Sequence, residues 1–270
     1  MHKRSLRAGL AIALFAGAAV AFAQGQTVSR VARASGYLSE AEMPDVKQIV
    51  PPPPGKDDAR FANDMAIFNK TRALEGTPRW ALALADDELS TAALLRDYSC
   101  ALGVVATADN APKTYALLSR AWADANRASN TLKEFYGHKR PFQVAEGNVC
   151  VSPAGRARLE RNADYPSGHT AISWEVALVL SELAPDAATG IMARARAFGQ
   201  SRVICGVHNS SAVEAGWMTT TVVFAAQHGS AEFRADVEAA RAELAALRKS
   251  GSVDGAACAT QKELVEKAHY

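Results

Sequence analysis

Tyr165-Pro-Ser-Gly-His-Thr170 runs without a break into Ala171-Ile-Ser-Trp-Glu-Val-Ala-Leu-Val-Leu-Ser-Glu-Leu183. Pro166, Ser167 and Gly168 are turn formers, and residues 169–183 contain no proline or glycine to interrupt a helix, so the stretch predicts one from His169 to Leu183 that opens on a turn. The same reading extends in both directions. Helices are predicted over Asp58–Leu74, over Pro78 to about Leu102 with Thr77 as its cap, and over Lys113–Phe135. On the carboxyl-terminal side they are predicted over Asp186 to about Ala197, His208–Ala226 and Ser230–Leu247. Alanine is abundant and alternating β-branched runs are scarce, which favours helices over strands. The expectation is an all-α protein with a single helical-bundle domain over residues 57–249.

Three flanking segments complete the organisation. Residues 1–23 have a basic start, an apolar run from Ala8 and small residues at Ala21 and Ala23, the pattern of a secretory signal peptide cleaved near Ala23. The apolar run is about 16 residues, short of the ~20 that a spanning helix needs, and no later stretch reaches that length, so no membrane insertion is expected. Residues 24–56 read as an extended leader because Pro51 to Pro54 cannot enter a helix interior, and residues 250–270 read as a polar, loosely specified tail. The signal peptide implies a periplasmic or secreted location. In that oxidising setting Cys100, Cys150, Cys205 and Cys258 predict at least one disulfide, with three pairings open and with Cys205 equally suited to be a buried thiol.

At 270 residues with 49% hydrophobic and 21% charged, the chain can bury a substantial core, is too apolar for disorder and too charged for a polytopic membrane protein. Its 30 Lys+Arg against 28 Asp+Glu become 27 against 28 once Lys3, Arg4 and Arg7 are removed with the signal peptide. Near-neutrality argues against nucleic acid or an anionic membrane as partner. Any anion must be held by local design.

Three segments supply such a design: Lys133 to Pro141, Tyr165 to Thr170, and Ser201 to His208. Taken singly, Lys133 and Arg140 read as a solvated helix end, Pro166 to Gly168 as a turn, and His208 as a core histidine. Taken together they meet the needs of phosphoryl transfer, in which charge on three equatorial oxygens calls for several fixed cations and amide donors. Lys133, Arg140 and Arg202 supply the cations, and the turn at Ser167-Gly168 opens a helix whose first amides lack acceptors. His169 and His208 then provide an acid and a nucleophile, and no metal-ligand cluster is evident.

The pattern K-x6-R-P, P-S-G-H and S-R-x5-H resembles that of the type 2 phosphatidic acid phosphatase and vanadium haloperoxidase superfamily, matching at Lys133, Arg140, Pro141, Pro166 to His169, Ser201, Arg202 and His208. The proline run, the Arg79-Trp80 pair and the SYPSGHT-like context, here Asp164-Tyr165-Pro166-Ser167-Gly168-His169-Thr170, are similar to the class A bacterial non-specific acid phosphatases over roughly residues 36 to 245. The resemblance implies a helical bundle of that type, a periplasmic location, a homo-oligomer, and vanadate-sensitive hydrolysis of small phosphomonoesters at acidic pH without metal or other cofactor, with phosphotransfer to alcohols in some members. It assigns His208 as nucleophile and His169 as general acid, with Lys133, Arg140, Ser167, Gly168 and Arg202 binding phosphate.

One departure stands out. The family has H-x3-D, whereas Ala212 stands four residues after His208. A carboxylate there would accept the Nδ1 proton and offset the charge that forms on the ring. Glu214 lies about 120° around the helix at ~3.6 residues per turn, which leaves Ser211 as the better-placed candidate to orient His208. The alternative to a working phosphatase is a non-catalytic binder of phosphate or phosphoesters. Phe135, Tyr136 and Trp174 are weaker candidates for pocket walls, Asn209 for a substrate contact, and His138 is expected to be solvated.

Overall fold

In a computed structural model that describes residues 35–267, 269 and 270, eleven α-helices succeed one another with no strand among the described residues. They are α1 Val46–Ile49, α2 Ala59–Thr71, α3 Pro78–Ala85, α4 Thr91–Leu102, α5 Pro112–Tyr136, α6 Pro153–Glu160, α7 Gly168–Leu183, α8 Ala188–Ile204, α9 Ser210–Gln227, α10 Ala231–Ser250 and α11 Gly255–Glu266. The residues expected to form a signal peptide lie outside those described.

The core is built around α7. Ile172, Val176, Ala177, Val179, Leu180 and Leu183 are all buried, and so are Ser173 and Glu175 between them, as expected of a helix that neighbours enclose on every side. α8, α9, α5, α10 and α4 pack around it. Leu94, Tyr98, Leu117, Leu118, Phe198 and Phe233 join the α7 residues in one apolar cluster. Burial on this scale, at roughly 1.5–3 kcal/mol per large side chain, is what holds a bundle of otherwise marginal helices together. Among the described residues no helix is long and apolar enough to cross a membrane.

Several boundaries differ from the sequence expectation, each for a local reason. The helix expected from Pro78 to Leu102 is two helices, because Ser90 caps α4 through the Ala93 amide and Asp86 turns inward. Asp86 is buried, where it accepts hydrogen bonds from Arg194 Nη2 at 2.5 Å and from the Ser201 hydroxyl at 2.6 Å. Arg79 completes the network by donating to Ser201 Oγ at 2.9 Å and to the Ala197 carbonyl. The network locks the turn at residues 86–90 against α8, which runs past Ala197 to Ile204.

The leader contains one helical turn, α1, capped by Asp45. The tail is not loose either: Asp254 caps α11 and a Cys100–Cys258 disulfide ties that helix to α4. Cys205 pairs with Cys150, fastening the segment before α6 to the end of α8. α6 itself was not expected from the sequence.

Candidate active site

Several helix ends converge on one cavity of about 340 Å³ lined by Lys133, Arg140, Gly168, His169 and His208, with Leu89, Asn126, Asn130, Arg158, Leu159, Asn162 and Ile172 completing its wall. α5 delivers Lys133 in its last turn and stops there because Gly137 adopts φ +56°, its amide donating to the Lys133 carbonyl. α7 starts at the cavity because Ser167 caps it: its Oγ accepts the Thr170 amide at 3.3 Å and the Thr170 hydroxyl at 2.9 Å. The Gly168 and His169 amides remain as first-turn donors without an intrahelical acceptor. α9 lies close against this turn, where the Ser167 amide donates to the Ala212 carbonyl at 2.8 Å and a Cβ at Gly216 would come within 2.9 Å of the Ser167 carbonyl.

His208 is buried and held on both sides. Its Nδ1 is 2.8 Å from Asp164 Oδ1 and its Nε2 is 3.1 Å from Arg140 Nη1. A guanidinium only donates, so Nε2 accepts and the proton sits on Nδ1, directed at the carboxylate. Burial lowers the proton affinity of His208 well below that of ordinary histidine, and the nearby Arg140 charge adds to this against the pull of Asp164. For Asp164 burial acts the other way, but hydrogen bonds with His138 and His208 and the charge of Arg140 hold its carboxyl well below the usual range. The pair is therefore a neutral imidazole on a carboxylate.

His169 Nε2 lies 3.2 Å from the Asp87 carbonyl, which accepts its proton. Burial first, then the Arg202 charge, push its proton affinity well below the ordinary value.

The three cations are anchored by oxygen acceptors. Arg140 donates through Nε to the Leu159 and Asn162 carbonyls at 3.0 and 2.8 Å and through Nη1 to the Val207 carbonyl at 2.6 Å. Its Nη2 donates to Asn162 Oδ1 and to the Ala163 carbonyl. Lys133 Nζ donates to the Ala163 carbonyl and lies 3.4 Å from that of Asp164, while burial and the Arg140 charge lower its pKa to about 7. Arg202, fully buried, donates to Asp87 Oδ1 at 2.6 Å and to the Asp86 carbonyl at 3.2 Å. Such a set of fixed cations and free helix-start amides is suited to an oxyanion with several oxygens.

The sequence candidates divide accordingly. Lys133, Arg140, Gly168, His169 and His208 line one cavity, with Ser167 capping the helix beside it, whereas Arg202 is outside that lining, paired with Asp87, whose carbonyl accepts from His169. Ser211 does not face His208: its amide and hydroxyl donate to Asp64 on α2, at 2.9 and 2.6 Å, because the start of α9 has no side-chain cap of its own. Asn209 turns to Asp164, donating from Nδ2 at 2.8 Å. His138 is half-buried rather than solvated, its Nδ1 3.4 Å from Asp164 Oδ2. Phe135 and Tyr136 stack edge to face away from the cavity lining, and Trp174 packs with Trp217 beside the core.

Sequence reasoning missed Asp164 and Asp87. The signal for Asp164 was its place at the head of the Tyr165–Thr170 turn, where an aspartate stands in the position of the serine of the SYPSGHT pattern. Asp87 carried none, since it lies within a run whose local pattern favours helix.

The PAP2 superfamily model matches residues 114–233, which include all three motif segments. The chain is similar to an acid phosphatase of Zymomonas mobilis, 42% identical over 203 residues covering 74% of this chain and 75% of that one. It is also similar to non-specific acid phosphatases of Providencia stuartii, 36% identical over 79% of this chain and 86% of the relative, and of Salmonella typhimurium, 36% identical over 77% and 83%.

Proposed function

The chain belongs to the acid phosphatases of the PAP2 superfamily, and from that membership we propose that it hydrolyses phosphomonoesters through a phosphohistidine on His208. The observation that carries this reading is the placement of His208, with Nδ1 2.8 Å from a buried carboxylate, in the cavity it shares with His169. In the first step the Nε2 lone pair forms a bond to phosphorus, the ester P–O bond breaks, and the departing oxygen takes a proton from His169. In the second, His169 accepts a proton from water, whose oxygen attacks phosphorus; the P–N bond breaks and inorganic phosphate leaves. Lys133, Arg140, Arg202 and the free amides of Gly168 and His169 stabilise the three equatorial oxygens.

His169 is held neutral by burial and by Arg202. A phosphoester brings negative charge beside the ring and raises its proton affinity, so protonation of the acid and binding of the substrate support each other, and acidic solution favours both. The two disulfides support an oxidising compartment, consistent with a periplasmic protein.

Steady-state hydrolysis of para-nitrophenyl phosphate with EDTA present, from acidic to neutral pH, tests the reading. The wild-type protein is expected to turn over, and His208→Ala to reduce turnover to background. Acid quenching should destroy a protein-bound phosphate that survives alkali. His169→Ala should lose more activity on alkyl phosphates than on the para-nitrophenyl ester, whose leaving group needs little protonation. Wild-type turnover no higher than that of His208→Ala would instead mark a phosphate binder.

A further inference from the structure

Building on that phosphohistidine reading, we propose that Asp164 is the positioning residue of His208, doing from the loop before α7 what no side chain on α9 can do. Each alternative on α9 is spent or misplaced. Ala212 is buried among Leu132, Tyr165 and Val223. Ser211 is committed to Asp64, and Glu214 is exposed. Asp164 has no exposure to solvent, and its Oδ1 receives the Nδ1 proton at 2.8 Å.

The carboxylate is itself built into place. The Asp164 amide donates to the His138 carbonyl at 2.8 Å, and Asn209 Nδ2 donates to Oδ2 at 2.8 Å. The Asn209 amide lies 3.3 Å from Oδ1. Each of its oxygens therefore has a donor from the residue next after the nucleophile, so the carboxylate cannot swing away without losing them. The imidazole lies between this anion and the Arg140 guanidinium. That order acts twice. In the resting protein the proton is confined to Nδ1, and the Nε2 lone pair accepts from Arg140. Once Nε2 bonds to phosphorus the ring becomes cationic, and the negative charge it then needs is already in contact with its Nδ1–H.

Asp164→Asn tests this, because it keeps the shape and removes the charge. The expected result is a kcat reduced by at least about 100-fold, with ~10⁴ as the ceiling set by the corresponding change in a Ser-His-Asp hydrolase. KM and the inhibition constant of inorganic phosphate should stay within about threefold, because Lys133, Arg140 and Arg202 are untouched. Wild-type kcat in a folded Asp164→Asn protein would overturn the proposal. So would a loss of kcat matched by an equal loss of phosphate binding, which would mark Asp164 as a structural prop.

A second measurement needs no variant of Asp164. The ¹⁵N shifts of His208 in the wild-type protein, assigned by comparison with His208→Ala, should report the Nδ1–H tautomer; a dominant Nε2–H tautomer would overturn the proposal. That reading stands apart from turnover. A wild-type protein no more active than His208→Ala would sink the phosphatase reading, while an Nδ1–H tautomer of His208 that is lost in Asp164→Asn would still establish the positioning role, and one that is unchanged there would overturn it.

Discussion

Arg202 Nη2 donates to Asp87 Oδ1 at 2.6 Å, so a buried arginine of the third motif segment is paired with an acid from the turn between α3 and α4. That carboxylate also lies 3.9 Å from His169 Nε2. With Arg202 binding phosphate as proposed, an incoming phosphate would be repelled by the Asp87 carboxylate and would have to share Arg202 with it. Asp87→Asn is expected to tighten inhibition by orthovanadate severalfold while lowering stability by about 1–3 kcal/mol, since the arginine then lacks its ionic partner. Inhibition constants and urea denaturation check both; weaker vanadate binding would show that Asp87 aligns Arg202 more than it competes for it.

Ala212→Asp is expected not to raise turnover, although it restores the family's H-x3-D. The position is fully buried in an apolar cluster, and Nδ1 of His208 is already occupied. A second carboxylate there is desolvated and sits near the first, so a loss of about 2 kcal/mol or more in stability is expected. A strong gain in kcat would show that Asp164 does not meet the need.

Lys133 links stability to pH. Burial, helped by the Arg140 charge, lowers its pKa from 10.5 to about 7. Below about 7 the folded protein carries a buried charge at full cost. Between 7 and 10.5 the unfolded chain holds a proton that the folded one has released, so the contribution of this residue to stability rises with pH across that window. Lys133→Met should therefore be more stable than wild type in acid by a few kcal/mol, with about 5 kcal/mol as the ceiling set by that shift and the gain fading towards pH 10.5, and its phosphate inhibition constant should rise more than about tenfold. Melting temperatures across pH and inhibition constants provide the check.

The Cys100–Cys258 bridge spans 158 residues and holds α11 on the side of α4, outside the cavity wall. Replacing both cysteines by alanine is expected to cost about 2–5 kcal/mol with kcat little changed. A fall in kcat without a fall in stability would point to a role for the tail in the site.

The helical class, the three motif segments and their convergence were legible in the sequence because each rests on local spacing: period for the helices, turn formers before α7, cations at fixed intervals. What escaped rests on side chains that reverse local expectation. Asp86 and Asp87 sit in a run that favours helix, and the buried Arg194, Ser201 and Arg202, distant in sequence, draw them into a turn. Ser211 has the better helical spacing from His208, yet Asp64, from 147 residues away, claims it. α11 is short and polar, and its disulfide to α4 rather than its periodicity holds it.

His208 owes its place to distant parts of the chain. Asp64 fixes the start of α9 from 147 residues away and Asp164 fixes the ring from 44 residues away. No contiguous fragment shorter than the stretch from α2 to α9 contains all of these contacts. Helices form early and locally, whereas contacts at such separations carry the larger loop-closure cost and come late. Catalytic competence should therefore be the last property to return on refolding, with helicity recovered first, so that the enzyme's own turnover serves as a stopwatch for completion of its folding.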